Sequence, residues 1–371
     1  MEISIQEAYV KIAFLCGCLE PGRDGVGDCT LMLAQACQDA GHDTRCFALR
    51  DPYAKDGDAG RFGDVLENYD ESASLAKALQ DYAPEWISLQ LVLYALEPRG
   101  LPLGLPRLLS QFCGSWRWQI MFHEIWIGCK VGTPLKERAI GKLQKHIIKR
   151  AVQAIDAEVV HTHALPYRTL LQQAGIPAQT LPLFGSIPIA EKVKPVLPDG
   201  LADNVLLGGV FGTLHPEWPP EPLLTELRAA AKEAQRPVAL IHFGGIGPGK
   251  ALWQALMQHS DEHLSLHQLG LLELDAASAL MQRLDFAVAS SPRALIEKSG
   301  SAANLLDHGV PVIINRDDAR YPGVAANFPL PDELLIDGTN GLAKKLFRLP
   351  KRRPLSRLDE IASLFLRDLE R

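Results

Sequence analysis

No run of about eighteen apolar residues occurs in the chain, so no segment is expected to span a membrane. The opening Met-Glu-Ile-Ser-Ile-Gln-Glu has neither a basic n-region nor a long apolar h-region, and no signal peptide is expected. Basic charge is not in excess: the net charge of −6 argues against a generic nucleic-acid binder. Cysteine is too sparse for a disulfide scaffold. The seven cysteines (16, 18, 29, 37, 46, 113 and 129) lie in the first 130 residues, and their odd number suggests reduced thiols in a cytoplasm. Cys16 and Cys18 are too close for the usual zinc knuckle, no second pair completes one, and both read as small buried hydrophobes. His161-Thr-His163 has no apparent third ligand, so no metal is expected there. A true Gly-x-Gly-x-x-Gly is also missing, which leaves NAD weakly supported; no cofactor is expected.

What is present is the composition of a two-domain α/β protein: 371 residues, 47% of them hydrophobic. Tyr9–Leu15 is a short apolar run suited to a buried parallel strand. The glycine-rich Gly22-Arg-Asp-Gly-Val-Gly27 follows, and Asp28 can N-cap a helix with Leu33, Ala34 and Cys37 on one face. Thr44–Leu49 is then a second strand, completing a Rossmann-like unit. Trp86–Leu93 and Gln119–Phe122 read as further strands. The latter runs into His123-Glu124, at the strand end where α/β proteins place ligands. Pro134 to Ile155 predicts a helix with Leu135, Ala139, Leu143, Ile147, Ala151 and Ile155 as its buried stripe. Its other faces carry Lys136, Arg138, Lys142, Lys145, Lys149 and Arg150, a basic surface fit to meet an anionic membrane or a lipid-linked acceptor, or simply to be solvated.

Residues 189–204 have linker composition, and Val205–Phe211 opens a second alternation of strands and helices. Gly244-Gly-Ile-Gly-Pro-Gly-Lys250 formally satisfies the spacing of a P-loop, but Ala251 stands where that loop needs a hydroxyl on Mg²⁺. The richest segment is Pro292 to Ile313. It reads as a strand end, a Glu297-Lys-Ser-Gly-Ser301 loop, a helix closing at His308-Gly309, and a new strand. A glycine-bearing helix start aims free N–H groups and the positive dipole end at one point, a place for an anion such as a diphosphate. Lys298 adds a mobile charge there, and Glu297 can accept hydrogen bonds from hydroxyls. Diphosphate plus polyol describes a nucleotide-sugar.

That segment resembles the donor motif of GT-B-fold glycosyltransferases of the retaining class, which carry paired glutamates in a Pro-Ser-x-x-Glu…Glu-Ala-x-x-x-Gly-x-Pro-Val pattern. Anchored on Pro292 and Gly309-Val-Pro-Val312, the spacing fits without a gap. The first glutamate falls on Ile296, with Glu297 one place late, and the second on Asn304, with Asp307 as a substitute. Asp24-Gly-Val-Gly-Asp28 is similar to the family's first loop, and Gly212-Thr-Leu stands where the family has a Gly-Arg-Leu turn followed by a lysine. The resemblance implies two Rossmann-like, doubly wound domains facing a cleft. The expected boundaries are 1–188 for the acceptor-side domain, 189–204 for the linker, 205–350 for the donor domain and 351–371 for a helix returning to the first domain. It implies a glycosyltransferase that moves a sugar from a nucleotide-sugar to a glycan, lipid-linked or small-molecule acceptor, with retention and without a metal. Donor binding falls to Gly212, Thr213, Gly244, Gly245, Glu297, Lys298, Ser299, Gly300, Ser301 and Asn304; the phosphate or acceptor loop is Asp24, Gly25, Val26, Gly27 and Asp28; His123, Glu124 and Glu297 are the catalytic candidates. The expected setting is the cytoplasm, with peripheral contact at the inner face of the membrane as an option. The departures from the motif leave two alternatives: a catalytically degenerate GT-B partner protein, and a P-loop-like nucleotide-dependent enzyme.

Overall fold

Strands that read as continuous apolar runs set the architecture, because only a parallel strand covered on both faces needs them. The computed structural model describes residues 9–22, 25–49, 64–65, 72–338 and 341–371, and these divide into two units. The first unit comprises residues up to Pro182 together with Tyr321–Val324 and Leu358–Arg371; the second comprises Leu183–Arg320 and Ala325–Arg357.

In the first unit, β1 (Lys11–Cys16), β2 (Asp43–Ala48), β3 (Asp64–Val65), β4 (Trp86–Leu91), β5 (Arg117–Phe122), β6 (Val159–Thr162) and β7 (Gln179–Thr180) form one sheet in the order β3-β2-β1-β4-β5-β6-β7. Every pairing is parallel. Between them run α1 (Gly25–Asp39), α2 (Ser72–Tyr82), α3 (Leu93–Leu96), α4 (Leu105–Ser110), α5 (Leu135–Ile155) and α6 (Leu165–Gln173). In the second unit, β8 (Leu206–Phe211), β9 (Val238–Phe243), β10 (Leu264–Gly270), β11 (Phe286–Ala289), β12 (Val312–Ile314) and β13 (Leu335–Asp337) form a parallel sheet ordered β10-β9-β8-β11-β12-β13. Its helices are α7 (Pro220–Ala234), α8 (Lys250–Met257), α9 (Leu274–Arg283) and α10 (Gly300–Asp307). Residues along β9 show why both faces are covered. Val238 and Leu240 join a core with Leu223 and Leu227 of α7 and Trp253 of α8, whereas Ala239 and Ile241 join another with Leu280 of α9 and Leu305 of α10. The strand order reverses between β1 and β4 in one sheet and between β8 and β11 in the other, which is where doubly wound sheets open a crevice at their carboxyl edge.

The last helix, α11 (Leu358–Leu369), packs within the first unit, with Phe365 stacked 5.7 Å from Phe14 and Asp368 bonded to His161. Segment 189–204 is not a free connector along its whole length. Upstream of it and at its start, the N–H groups of Gly185, Ile187 and Ala190 are bound by Asp307, Asn304 and Ser278, which makes this stretch part of the second unit.

Two local readings are corrected. Helix α1 begins at Gly25, so Asp28 lies inside its first turn, and its carboxylate accepts from Gly22 N–H at 2.9 Å instead of capping the helix. Burial pushes the Asp28 carboxyl up, against the pull of that N–H. In α5 the expected buried stripe holds only in its second half, where Ile147, Ala151 and Ile155 are buried. Leu135 (78% exposed), Ala139 and Leu143 (41%) face outward, and Gly141, Gln144 and Ile148 are buried beside the expected residues. The cause is tertiary. Gly141 lets the helix meet the Ile127 carbonyl, which would lie 1.9 Å from any Cβ there. Gln144 accepts from Ile127 N–H and donates to Gly100 O, so a polar residue occupies a core position.

Candidate functional site

Loops after β8, β9 and β11 converge at the reversal point of the second sheet. Gly212 follows β8 with φ +73°, and a Cβ there would lie 2.8 Å from Ser301 Oγ. Gly244 follows β9 with φ +86°, and its Cβ would lie 3.2 Å from Gly212 N. Both positions combine a left-handed backbone with a close neighbour, so only glycine fits without strain. Gly212 is held from both sides: its N–H donates to Phe243 O and its carbonyl accepts from His242 Nε2–H at 2.8 Å. Ser290, just past β11, ties the third loop in by donating to Thr213 O and accepting from His215 N–H. The structure thus brings Gly212, Thr213, Gly244 and Ser301 together.

Ser299 is the N-cap of α10, its hydroxyl accepting from Ala302 N–H. Within the helix no acceptor exists for the first-turn N–H groups of Gly300 and Ser301. Gly300 is exposed, its φ is not positive, and a Cβ there meets nothing within 4 Å. The loop expected before this helix is instead a short 3-10 turn, Arg293–Lys298, anchored by Ile296, which is 2% exposed. That burial accounts for an apolar residue where the family pattern has its first glutamate. Glu297 and Lys298, at the end of the turn, are partly exposed.

Asn304, expected in the donor site at the position of the family's second glutamate, is engaged with backbone. It is 3% exposed, its Oδ1 accepts from Ile187 N–H at 2.7 Å and its Nδ2 donates to Gly300 O at 2.8 Å. Asp307, the substitute, is equally occupied: it accepts from Gly185 N–H and from the Arg357 guanidinium. Both side chains brace backbone of their own unit. Gly245 is exposed and open. In the P-loop-like run, Gly249 is buried with the Leu214 carbonyl 2.4 Å from a would-be Cβ, and Lys250 opens α8 exposed to solvent. A cation that the sequence motifs do not indicate is Arg316, beyond β12. It is 3% exposed, paired with Glu217 and Asp318, with a buried Nη1 that has no partner. It meets the end of the very turn that lacks the family's arginine and lysine; an Arg following Ile-Ile-Asn at a strand end was the only sign.

In the first unit, Gly27 packs with the Cys18 carbonyl 2.3 Å from a would-be Cβ, and Val26 O accepts from Thr30 Oγ1–H. Gly25 is exposed, and Asp24 lies outside the described residues. His123 follows β5, but both its ring nitrogens are engaged: Nε2 with Gln90 Oε1 at 2.8 Å and Nδ1 with His163 Nε2 at 3.2 Å. His161 bonds instead to Gln119 and Asp368, so the two histidines of His-Thr-His serve different partners. Glu124 is half-buried. Cys16 and Cys18 are buried, and burial pushes the Cys37 and Cys46 thiols up to about 12.

Burial lowers the basicity of His242 and His308 in the second unit. His308 Nδ1–H donates to Asn304 O and its Nε2 accepts from Ser278, the neutral tautomer. With folded-state values below the ordinary one of about 6.5, the unfolded chain takes up protons first as pH falls. This contribution to stability is therefore full above about pH 6.5 and lost below it. A lower denaturant midpoint at about pH 5.5 than at about 7.5 is the expected result, measured by tryptophan fluorescence.

Neither a protein-family model nor a curated protein sequence matches this chain. Solved structures do. Sucrose-phosphate synthase from Thermosynechococcus elongatus superposes with a TM-score of 0.55 at 14% identity, covering 97% of this chain and 94% of that one. UDP-GlcNAc 2-epimerase from Neisseria meningitidis, bound to UDP-GlcNAc, gives 0.51 at 10% identity over 97% and 99%. An α-glucosyltransferase in complex with UDP and a 13-mer DNA gives 0.50 at 11% identity over 83% and 80%. At these identities the likeness speaks for fold, and together with the two doubly wound parallel sheets it establishes that this chain has the α/β, two-domain GT-B fold.

Proposed function

We propose that this chain is a glycosyltransferase that binds a nucleotide-sugar on its second unit and moves the sugar to an acceptor. The observation that carries the reading is the meeting of Gly212, Thr213, Gly244 and the start of α10 at the reversal point of the second sheet. Backbone N–H groups and the helix dipole there can stabilise a departing diphosphate as its charge develops, with Lys298 adding a charge-assisted contact and no metal needed. Glu297 accepts hydroxyls of the sugar, while Gly245, Ser299, Gly300 and Ser301 complete the donor loop. On the first unit, Glu124 is the acceptor-side acid or base, and the loop around Asp24–Asp28 lies on the acceptor or phosphate side. Retention of configuration rests on the resemblance alone. The solved neighbours support the ligand class, since two of them are complexes with UDP or UDP-GlcNAc. Calorimetric titration against UDP, GDP, ADP and dTDP sugars, followed by turnover with and without EDTA, tests this. Binding of no nucleotide-sugar would overturn it, and EDTA-sensitive turnover would overturn the metal-free part.

One observation favours a second reading. Asn304 and Asp307 are both committed to backbone, so the acid that holds the ribose in the family has no counterpart at either position. A GT-B protein that binds nucleotide-sugar without turnover, as the partner of an active enzyme, would show saturable binding and no transfer. Mg²⁺-dependent ATP hydrolysis would instead favour the P-loop-like alternative.

The reading extends to an anionic membrane surface, at its cytoplasmic face, as the place of the acceptor. Among the described residues no helix is long and apolar enough to cross a membrane. Helix α5, however, exposes Leu135 and Leu143 among Lys136, Arg138 and Lys142, and a hollow beside it is lined by Leu103, Arg107, His146 and Arg150. Apolar side chains within a basic surface suit the headgroup boundary. Liposome co-sedimentation is expected to require anionic lipid and to weaken as salt rises through the physiological range. Equal binding to neutral vesicles, or none, would return those lysines to a solvated face.

A further inference from the structure

Seven hydrogen bonds in the first unit follow one another from the Leu181 carbonyl to the Asp368 carboxylate. From Leu181 O it passes to His163 Nδ1 (3.0 Å), then from His163 Nε2 to His123 Nδ1 (3.2 Å). It continues from His123 Nε2 to Gln90 Oε1 (2.8 Å), from Gln90 Nε2 to Ser88 Oγ (2.7 Å), and from Ser88 Oγ to Gln119 Oε1 (2.6 Å). Gln119 Nε2 meets His161 Nδ1 (3.2 Å), and His161 Nε2 meets Asp368 Oδ2 (3.0 Å). All six linking side chains are 9% exposed or less.

Each bond needs one proton between its two heavy atoms. Both ends, a carbonyl and a carboxylate, only accept. In neutral form each imidazole carries one ring proton, the hydroxyl carries one, and each amide offers one along the chain while its oxygen takes the other bond. The six linking side chains thus supply one proton fewer than the seven bonds consume. Turning an amide or changing a tautomer reverses the direction of a bond without adding a proton, so the shortfall does not depend on those assignments. We infer that this chain holds one proton more than its neutral side chains carry, as a buried imidazolium whose countercharge is Asp368. Asp368 is then a positioning residue: from α11 it sets the charge state of the histidines at the carboxyl ends of β5 and β6.

The proton's place follows from the same geometry. With Gln119 donating to His161 Nδ1, His161 turns its Nε2–H to the carboxylate and is neutral, in keeping with the downward push of burial on it. His163 needs its proton on Nδ1 for the Leu181 carbonyl, and His123 needs its own on Nε2 for Gln90. The facing nitrogens of the two rings would then be bare lone pairs, so the extra proton lies between them. Titratable neighbours include Asp368 on α11, Arg371 just beyond that helix, Glu124 next to His123, Cys129, and Tyr167 on α6, whose phenol burial pushes up. A cationic, fully bonded His123 is no general base. If the nucleotide-sugar reading holds, that role falls to Glu124, but the charge itself stands apart from that reading.

Long-range ¹H–¹⁵N spectra of the full chain test this without any ligand. At about pH 7.5, one unit above the ordinary histidine value, one histidine among 123, 161 and 163 is expected in the imidazolium form. Asp368→Asn removes the countercharge and can add an amide proton at that end, so all three should become neutral at that pH. Ser88→Ala, a small buried change, should do the same by freeing Gln90 to turn its amide toward His123. Three neutral histidines in the unaltered protein, or an imidazolium that survives in whichever of these variants folds, would overturn the inference. Either result would leave nucleotide-sugar binding untouched.

Discussion

Lys298→Ala is expected to weaken nucleotide-sugar binding by roughly ten- to a hundredfold, the range for losing a charge-assisted hydrogen bond of about 1.5–3 kcal/mol. Lys298 ends the turn that leads into α10 and is partly exposed, so its removal leaves no cavity in the core. Gly300→Val is expected to lower affinity at least as much, and the structure makes it a clean probe. The backbone there is not left-handed, and a Cβ meets nothing within 4 Å. Valine therefore fits the folded chain and obstructs only what approaches the helix start from solvent. The contrast is Gly212, where a side chain would be strained by φ +73° and would press on Ser301, so its loss of binding could not be separated from local misfolding. Titration of both variants against the best nucleotide-sugar, with melting curves alongside, decides the matter. Unchanged affinity in two folded variants places the donor site elsewhere.

Much of the fold was legible because its signals are local. Buried parallel strands announce themselves as largely apolar runs, and β1, β4 and β8 stand within two residues of the expected strands. The end of α10 at His308-Gly309 was read closely, but its start was not: the expected loop ran to Ser301, whereas Ser299 caps a helix that begins at Gly300. What could not be read depended on partners distant in sequence. The first half of the α5 stripe was misplaced because Gly141 and Gln144 serve Ile127 and Gly100, contacts that helical periodicity does not contain. Segment 189–204 looked like a linker because of its Lys, Pro and Asp residues, although Ala190 at its start is pinned by Ser278. His123 was found as a residue at a strand end, but the chain that engages both its nitrogens runs through Gln90, Ser88 and Gln119 to α11 at the far end of the sequence.

Asn304→Glu carries the largest expected loss of stability. A pattern match alone sets this position opposite the family's ribose-binding glutamate and predicts tighter nucleotide binding on restoring the acid. The structure predicts the reverse. The amide both accepts from Ile187 N–H and donates to Gly300 O, and a carboxylate can do only the first. Its extra methylene has little space, because Gly185 packs so closely that a Cβ there would lie 3.0 Å from the Asn304 Cα. The same Cβ would lie 3.1 Å from both Asn304 Oδ1 and Asp307 Oδ2, so the new carboxylate would be buried beside an existing one. A buried charge without its own partner costs about 3–5 kcal/mol, unless the acid takes up a proton and stays neutral. Asn304→Glu should therefore melt well below the unaltered protein at neutral pH, and the gap should narrow as pH falls toward the range in which a buried glutamic acid is protonated. Sign and direction agree: an acid whose folded-state value is raised lowers stability most above that value, where the unfolded chain carries the charge freely. A variant that melts like the unaltered protein and binds UDP more tightly would show that Asn304 faces the ligand, and the bracing role given to it here would be wrong.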